Sequence, residues 1–320
     1  MKRLILKWQN YILTKKSLLF VESPLQLLNA YEAVAYFNLE NYSYMVRLSN
    51  NEANDKQIMN LLKLLKINTT NIQYIYLRTT NRTLYDYIKL LFYRFKYIFA
   101  KDIDKIFIGN YESGFFKLII KQFSKQSIIL LDDGAKTLSI QSKFTNTKNY
   151  NLFTMYDIEA LENQKNYINS YRQVLSKIKN LSINQDEILF LGTKLSEVGI
   201  IEEEYYIKLI QNICNYYSDK RIVYIIHRGE SQEKLELIQK NENILIKQLD
   251  YPIELYGLYK NEMPFKVSSF YSTAILTMNK IYNLEAECFK FNYSHSIHAH
   301  AIDEVYSFYQ KEMKVINLDD

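Results

Sequence analysis

Cysteine is nearly absent. Cys214 and Cys288 are the only two in 320 residues, far apart and without metal-ligand spacing, which excludes a disulfide framework and fits two buried thiols in a reducing compartment. A long apolar run is missing as well. The opening "MKRLILKWQNYILTKKSLLF" is interrupted by Lys7, Gln9, Asn10, Lys15 and Lys16, so neither a signal core nor a membrane span is expected, and the cytoplasm is the expected location. No long polar tract occurs either, and with 48% apolar and 23% charged residues the chain should be ordered nearly throughout. Excess charge is slight. A net +5 argues against a nucleic-acid binder, although it suits an anionic substrate or a membrane surface. The 29 tyrosines accompany a general Lys, Ile and Asn bias, as in an AT-rich genome, and are not read as base-stacking platforms.

Proline and glycine are scarce, so their positions inform. Each of the three prolines, Pro24, Pro252 and Pro264, lies in or close to a segment that follows an apolar run, or close to Glu254. Gly134, one of seven glycines, follows two adjacent acids, Asp132 and Asp133.

Apolar runs of strand length recur at 17–21 ("SLLFV"), 42–48, 72–77, 105–109 and 127–131, with helical spacing between them, as in 25–37 and 55–66. After a polar stretch over about 155–183, read as mostly helical, a second series runs through 187–192, 221–227, 243–249 and 265–269. Strands alternating with helices predict parallel α/β sheets. A chain of this length predicts two domains of about 150 residues each. The expected architecture is therefore two Rossmann-like domains facing a central cleft, residues 1–183 and 184–320. Ligands of such sheets bind beyond the carboxyl ends of the strands, so residues just after the runs are the candidates.

Two neighbouring carboxylates at a strand end raise each other's cost of ionising, and burial adds to it, so Asp132 or Asp133 suits a general base, with Gly134 turning the chain away. Equally, Asp133 could cap a following helix while Asp132 is solvated. His227 and Arg228 close "RIVYIIHR", where they can meet an anion. Ser268 and Ser269 precede a helical pattern and could offer hydroxyls and a helix N-terminus to a phosphate, or merely cap that helix.

In this order "DDG", "HRGE" and "SSFYSTAI", with "FVESPLQLLNAYEA", "LFLGTKLSE" and "YPIELY", resemble the motifs of bacterial lipooligosaccharide and capsule sialyltransferases of glycosyltransferase family 52. One departure is Arg228, where the family's histidine motif has proline. The resemblance implies a GT-B fold and an inverting sialyltransferase, which moves N-acetylneuraminic acid from CMP-sialic acid to a galactoside-type glycan acceptor without a metal or other cofactor. Kdo, legionaminic or pseudaminic acid on CMP would fit the same motifs. The resemblance makes Asp132 or Asp133 the base, Asp132 narrowly preferred. It makes His227 the partner of the leaving phosphate with Arg228 as auxiliary, Ser268 and Ser269 phosphate ligands, and Glu254 the holder of the ribose. Gly192 and Thr193 would pass close to the nucleotide, and Ser23, Pro24, Gln26 and Gly134 would line the acceptor side.

Other groupings weigh less. Asp102 and Asp104 form a D-x-D, better read as a solvated junction before a strand, and His295, His298 and His300 lack a fourth ligand that would make a metal set. The segment 85–101 is aromatic and basic on a helical period. It suits either a buried helix or a peripheral helix on the inner membrane, the latter allowing a non-catalytic docking protein of polysaccharide assembly. A homodimer is compatible with all of this.

Overall fold

In the computed structural model, which describes residues 15–78, 81–98, 102–123, 127–134, 136–144 and 150–318, the apolar runs become strands, and the central ones are covered on both faces. The strand β1 (Lys16–Val21) is buried at five successive positions, which only a strand with helices on both sides of its sheet can satisfy. It pairs in parallel with β2 (Tyr42–Leu48) and β4 (Ile103–Ile108). With β3 (Ile72–Tyr76), β5 (Ser127–Leu131), β6 (Asn151–Thr154) and β7 (Asn166–Ile168) they make a seven-stranded sheet of order β3-β2-β1-β4-β5-β6-β7.

The second sheet repeats the plan. Its strands are β8 (Ser182–Leu191), β9 (Arg221–Ile225), β10 (Ile244–Lys247), β11 (Glu262–Ser269), β12 (Glu285–Lys290) and β13 (Lys314–Asn317), ordered β10-β9-β8-β11-β12-β13. All pairs are parallel. The chain divides between Gln173 and Val174, closer to the N-terminus than the 183/184 boundary expected from sequence, and β8 already begins at Ser182. Two parallel-sheet, doubly wound Rossmann-like units of this kind constitute the GT-B architecture.

Residues 155–183 depart from the helical expectation, holding β7, the single turn Arg172–Leu175 and the first residues of β8. Side-chain amides compete with helical hydrogen bonds there. Gln164 Nε2 donates to the Tyr150 carbonyl at 2.9 Å, its Oε1 accepts Leu161 N–H at 2.9 Å, and Asn166 Nδ2 donates to the Ile158 carbonyl at 2.7 Å. The strand β12 was hidden by its charges. Glu287, fully buried within it, is paired with Lys266 at 2.8 Å and Lys314 at 3.1 Å. Both cysteines are free and buried. Among the described residues no helix is long and apolar enough to cross a membrane, and the opening segment read for an export signal lies outside them up to residue 14.

Candidate functional site

Each sheet reverses its strand order beside its first strand, and the candidates gather at those carboxyl ends. In the N-terminal unit the reversal lies between β1 and β4. Glu22, the residue after β1, accepts from Arg47 Nη1 at 2.6 Å, Asn110 Nδ2 at 2.8 Å and the Ser113 hydroxyl at 3.2 Å. Arg47 sits in β2, is 2% exposed and also donates to the Leu77 carbonyl at 3.2 Å, so one ion pair ties the ends of neighbouring strands together.

Gln26 continues the network. From the first turn of the helix Pro24–Tyr36 it accepts the Glu22 N–H at 2.9 Å and donates to Asp133 Oδ1 at 2.7 Å. A side chain at Gly109 would put its Cβ 2.4 Å from Gln26 Oε1, which requires glycine at the end of β4. Ser23 caps the same helix by accepting the Gln26 N–H at 3.3 Å, and Pro24 occupies a buried first-turn position. Ser23, Pro24 and Gln26, three of the four residues expected on the acceptor side, thus build the turn, and Gln26 serves as a positioning residue for Asp133.

The two acids occupy different surroundings. Asp132 is 2% exposed; its Oδ2 accepts the Met155 N–H at 2.7 Å and its Oδ1 is buried without a hydrogen bond. Its backbone carbonyl accepts from Asn29, itself held by Asn169 and Tyr171. Burial pushes the Asp132 carboxyl up to about 7, against the pull of the Thr154 hydroxyl, the Met155 N–H and the Thr137 hydroxyl, with the charge of Asp133 adding to the rise. Asp133 keeps 21% of its side chain exposed and lines a small pocket with Asn110, Glu112, Lys136 and Thr137. Burial raises its carboxyl as well, opposed by the Gln26 hydrogen bond and by Lys136, 3.5 Å away. Gly134, at φ 68°, turns the chain in the left-handed region that glycine tolerates. Among the described residues no α-helix follows Asp133, since 136–139 are turns and a short 3-10 turn spans Ile140–Lys143.

In the C-terminal unit the turn after β9 carries His227, Arg228, Gly229 and Glu230. His227 Nδ1 accepts the Gly229 N–H at 3.1 Å, so the neutral ring carries its hydrogen on Nε2 as an available donor. Burial lowers its pKa to about 4, helped by Arg228 and Lys194. Glu230 holds the turn, accepting the His227 N–H at 2.6 Å and the Tyr224 hydroxyl. Beneath it lies Lys234, whose side chain is fully buried. Its ammonium is 3.1 Å from Glu230, 2.9 Å from Glu197 and 3.0 Å from the Thr193 carbonyl, and stands 4.0 Å above the Tyr206 ring.

Gly192 and Thr193 belong to this framework. A Cβ on Gly192 would meet Glu230 Oε2 at 2.4 Å, and the Thr193 N–H donates to the Tyr206 hydroxyl at 3.2 Å. Lys194, the next residue, is exposed, and its side chain lies against Gly229. Glu254 is 5% exposed, and burial pushes its carboxyl up to about 6 against the pull of its own backbone N–H and of Arg228.

The serines are not where the sequence pattern put them. Ser268 and Ser269 end β11 with no exposure, and the Ser269 hydroxyl donates to the Leu191 carbonyl at 2.7 Å. Ser272 and Thr273 stand at the start of the following helix, Ala274–Tyr282. The expectation that the serine pair reaches a helix N-terminus is corrected accordingly. His295, His298 and His300 are exposed, and among the described residues no three His, Cys, Asp or Glu side chains are grouped to hold a metal.

Arg47, Asn29, Glu197 and Lys234 did not stand out in the sequence. Only the fold unites them, although an asparagine inside the apolar pattern of "LQLLNAYEAVAYF" was a usable signal for Asn29.

No protein-family model matches the chain, and no curated protein matches it. Solved structures do. A UDP-GlcNAc 2-epimerase from Methanocaldococcus jannaschii in complex with UDP-GlcNAc and UDP is similar at 14% identity and TM-score 0.58, over 85% of this chain and 83% of that one. The S. aureus MnaA–UDP structure is similar at 13% identity and TM-score 0.55, over 86% and 79%. MurG from Acinetobacter baumannii follows at 12% identity and TM-score 0.50, over 95% and 86%. At such identities the likeness speaks for the fold. The resemblance to family 52 sialyltransferases does not survive: the similar structures include UDP-GlcNAc 2-epimerases and MurG. An acid-glycine turn, a histidine turn and strand-end serines arise at the strand ends of doubly wound sheets, and here the serines are interior.

Proposed function

We propose that the chain is a GT-B-type glycosyltransferase whose donor is a UDP-sugar, in place of the CMP donor that the motifs implied. The observation that carries the reading is the turn after β9. It presents the His227 Nε2–H and the Arg228 guanidinium, with Lys194 against its glycine, and Arg228 lies close enough to Glu254 to lower that acid's pKa. A nucleotide diphosphate needs hydrogen-bond donors and cations, and its ribose hydroxyls need an acceptor. The fold likeness to structures that hold UDP supports the choice of nucleotide.

In this reading Arg228 and Lys194 offset the charge of the diphosphate, His227 donates from Nε2 to a phosphate oxygen, and Glu254 accepts from the ribose. Asp133, the accessible member of the acid pair, takes the proton from the acceptor hydroxyl. Cationic side chains take the place of a divalent metal. A second reading, supported by the likeness to the 2-epimerases, is inversion of the sugar at C2 without transfer.

One experiment separates them. The purified chain is incubated with UDP-GlcNAc and other UDP-sugars, with and without glycan acceptors, and the products are followed by NMR. Transfer predicts acceptor-dependent release of UDP that EDTA leaves unchanged, whereas epimerisation predicts an intact UDP-sugar of altered C2 configuration. If neither product forms from any UDP-sugar, the donor assignment is wrong.

A further inference from the structure

The helix Leu84–Ile98 in the N-terminal unit has two unlike faces. Leu90 and Tyr93 pack on the core, with Tyr93 edge-on to Phe115 at 5.8 Å, and Asp86 is buried against Arg78 at 3.0 Å. The opposite face is apolar and uncovered. Leu84, Ile88, Leu91, Phe92 and Phe95 recur at helical spacing and are 51% to 77% exposed, with Tyr85 and Tyr87 at 62% and 53% on its margins. Scattered apolar side chains on a surface mean little, but a contiguous stripe of this size marks an interaction site.

Its rim decides the partner. At about 100° per residue, Lys89 and Lys96 fall along one edge of the stripe and Arg94 along the other. Lys89 bonds the Tyr76 carbonyl at 3.0 Å, a neutral group, while the helix's single acid faces inward. A second copy of the chain would bring an identical basic rim against this one. Residues 1–14, "MKRLILKWQNYILT", carry Lys2, Arg3 and Lys7 without an acid, so they too match this rim poorly. A negatively charged lipid surface satisfies both features at once: aromatic and aliphatic side chains enter the headgroup boundary while the basic side chains meet phosphate.

We infer that the outer face of Leu84–Ile98 docks the protein on an anionic phospholipid surface. The test is flotation of the full chain with vesicles of phosphatidylcholine alone and of phosphatidylcholine with phosphatidylglycerol. The chain floats with the phosphatidylglycerol vesicles, less so as salt rises, and the double substitution Phe92→Ser with Phe95→Ser lowers the bound fraction about tenfold or more. Its melting temperature stays at the wild-type value, because both side chains are more than half exposed. Three results overturn the inference: no binding to phosphatidylglycerol vesicles at any salt, binding that the double variant retains, or a dimer in solution that the double variant dissolves, which would give this face to a second copy.

Discussion

Asp133→Asn is expected to lower turnover by about two to four orders of magnitude, the usual contribution of a general base, while UDP affinity stays within about twofold of wild type. Asparagine keeps the shape and the oxygen that accepts from Gln26 Nε2 at 2.7 Å, so the variant loses basicity without losing the turn. The carboxyl is reachable, sits beside Lys136 and is raised by burial, which moves its basic form toward the pH at which an acceptor hydroxyl must be deprotonated.

Asp132→Asn is the contrasting variant. The folded carboxyl at about 7 lies above the unfolded value, so the native state binds its proton more tightly, and this group's contribution to stability falls as pH rises from about 4 to 7. The amide cannot ionise and escapes that loss. Relative to wild type, Asp132→Asn should therefore gain in melting temperature between those pH values and keep the gain above them, with turnover largely retained. Wild-type turnover in Asp133→Asn, or a full loss confined to Asp132→Asn, would move the base.

The second large effect concerns stability. Lys234→Ala is expected to destabilise the C-terminal unit by about 3–5 kcal/mol in urea unfolding, because it leaves the fully buried Glu230 carboxylate without its cation. Glu197, partly exposed, can turn to water, whereas Glu230 stays locked to Tyr224 and the His227 N–H. Replacing the pair together, Lys234→Met with Glu230→Gln, should recover most of that loss, since the charge left behind, on Glu197, can reach water. If Lys234→Ala unfolds like wild type, the buried triad is not what holds the His227 turn.

The sequence made the central strands legible because parallel strands covered on both faces read as continuous apolar runs; β2 and β5 coincide with the runs at 42–48 and 127–131. The edge strands β3 and β10 were read from their runs as well, whereas β6, β7, β12 and β13 were not. The strand β12 carries Glu285, Glu287 and Lys290, and its buried glutamate is tolerated only because Lys266 and Lys314 arrive from neighbouring strands.

The candidate site divides in the same way. The acids and the histidine announced themselves by following strands, but their supports did not: Gln26 meets Asp133 across 107 positions, and Lys234 in "QEKLELI" looks like any solvated helical lysine. The serines misled for a definite reason. The run "FKVSS" continues as strand to its last residue, so the helix starts beyond Thr273 and the hydroxyls turn inward.

The account rests on an anionic nucleotide meeting the turn after β9, and the four histidines offer a direct reading of it. His295, His298 and His300 are exposed, while His227 is half-buried with its pKa lowered to about 4. Imidazole NMR signals followed through a pH titration, with and without UDP, should show one histidine titrating near 4 and rising on UDP binding as the phosphate charge offsets Arg228 and Lys194. UDP at millimolar concentration that leaves this resonance and its pKa unchanged would contradict the account.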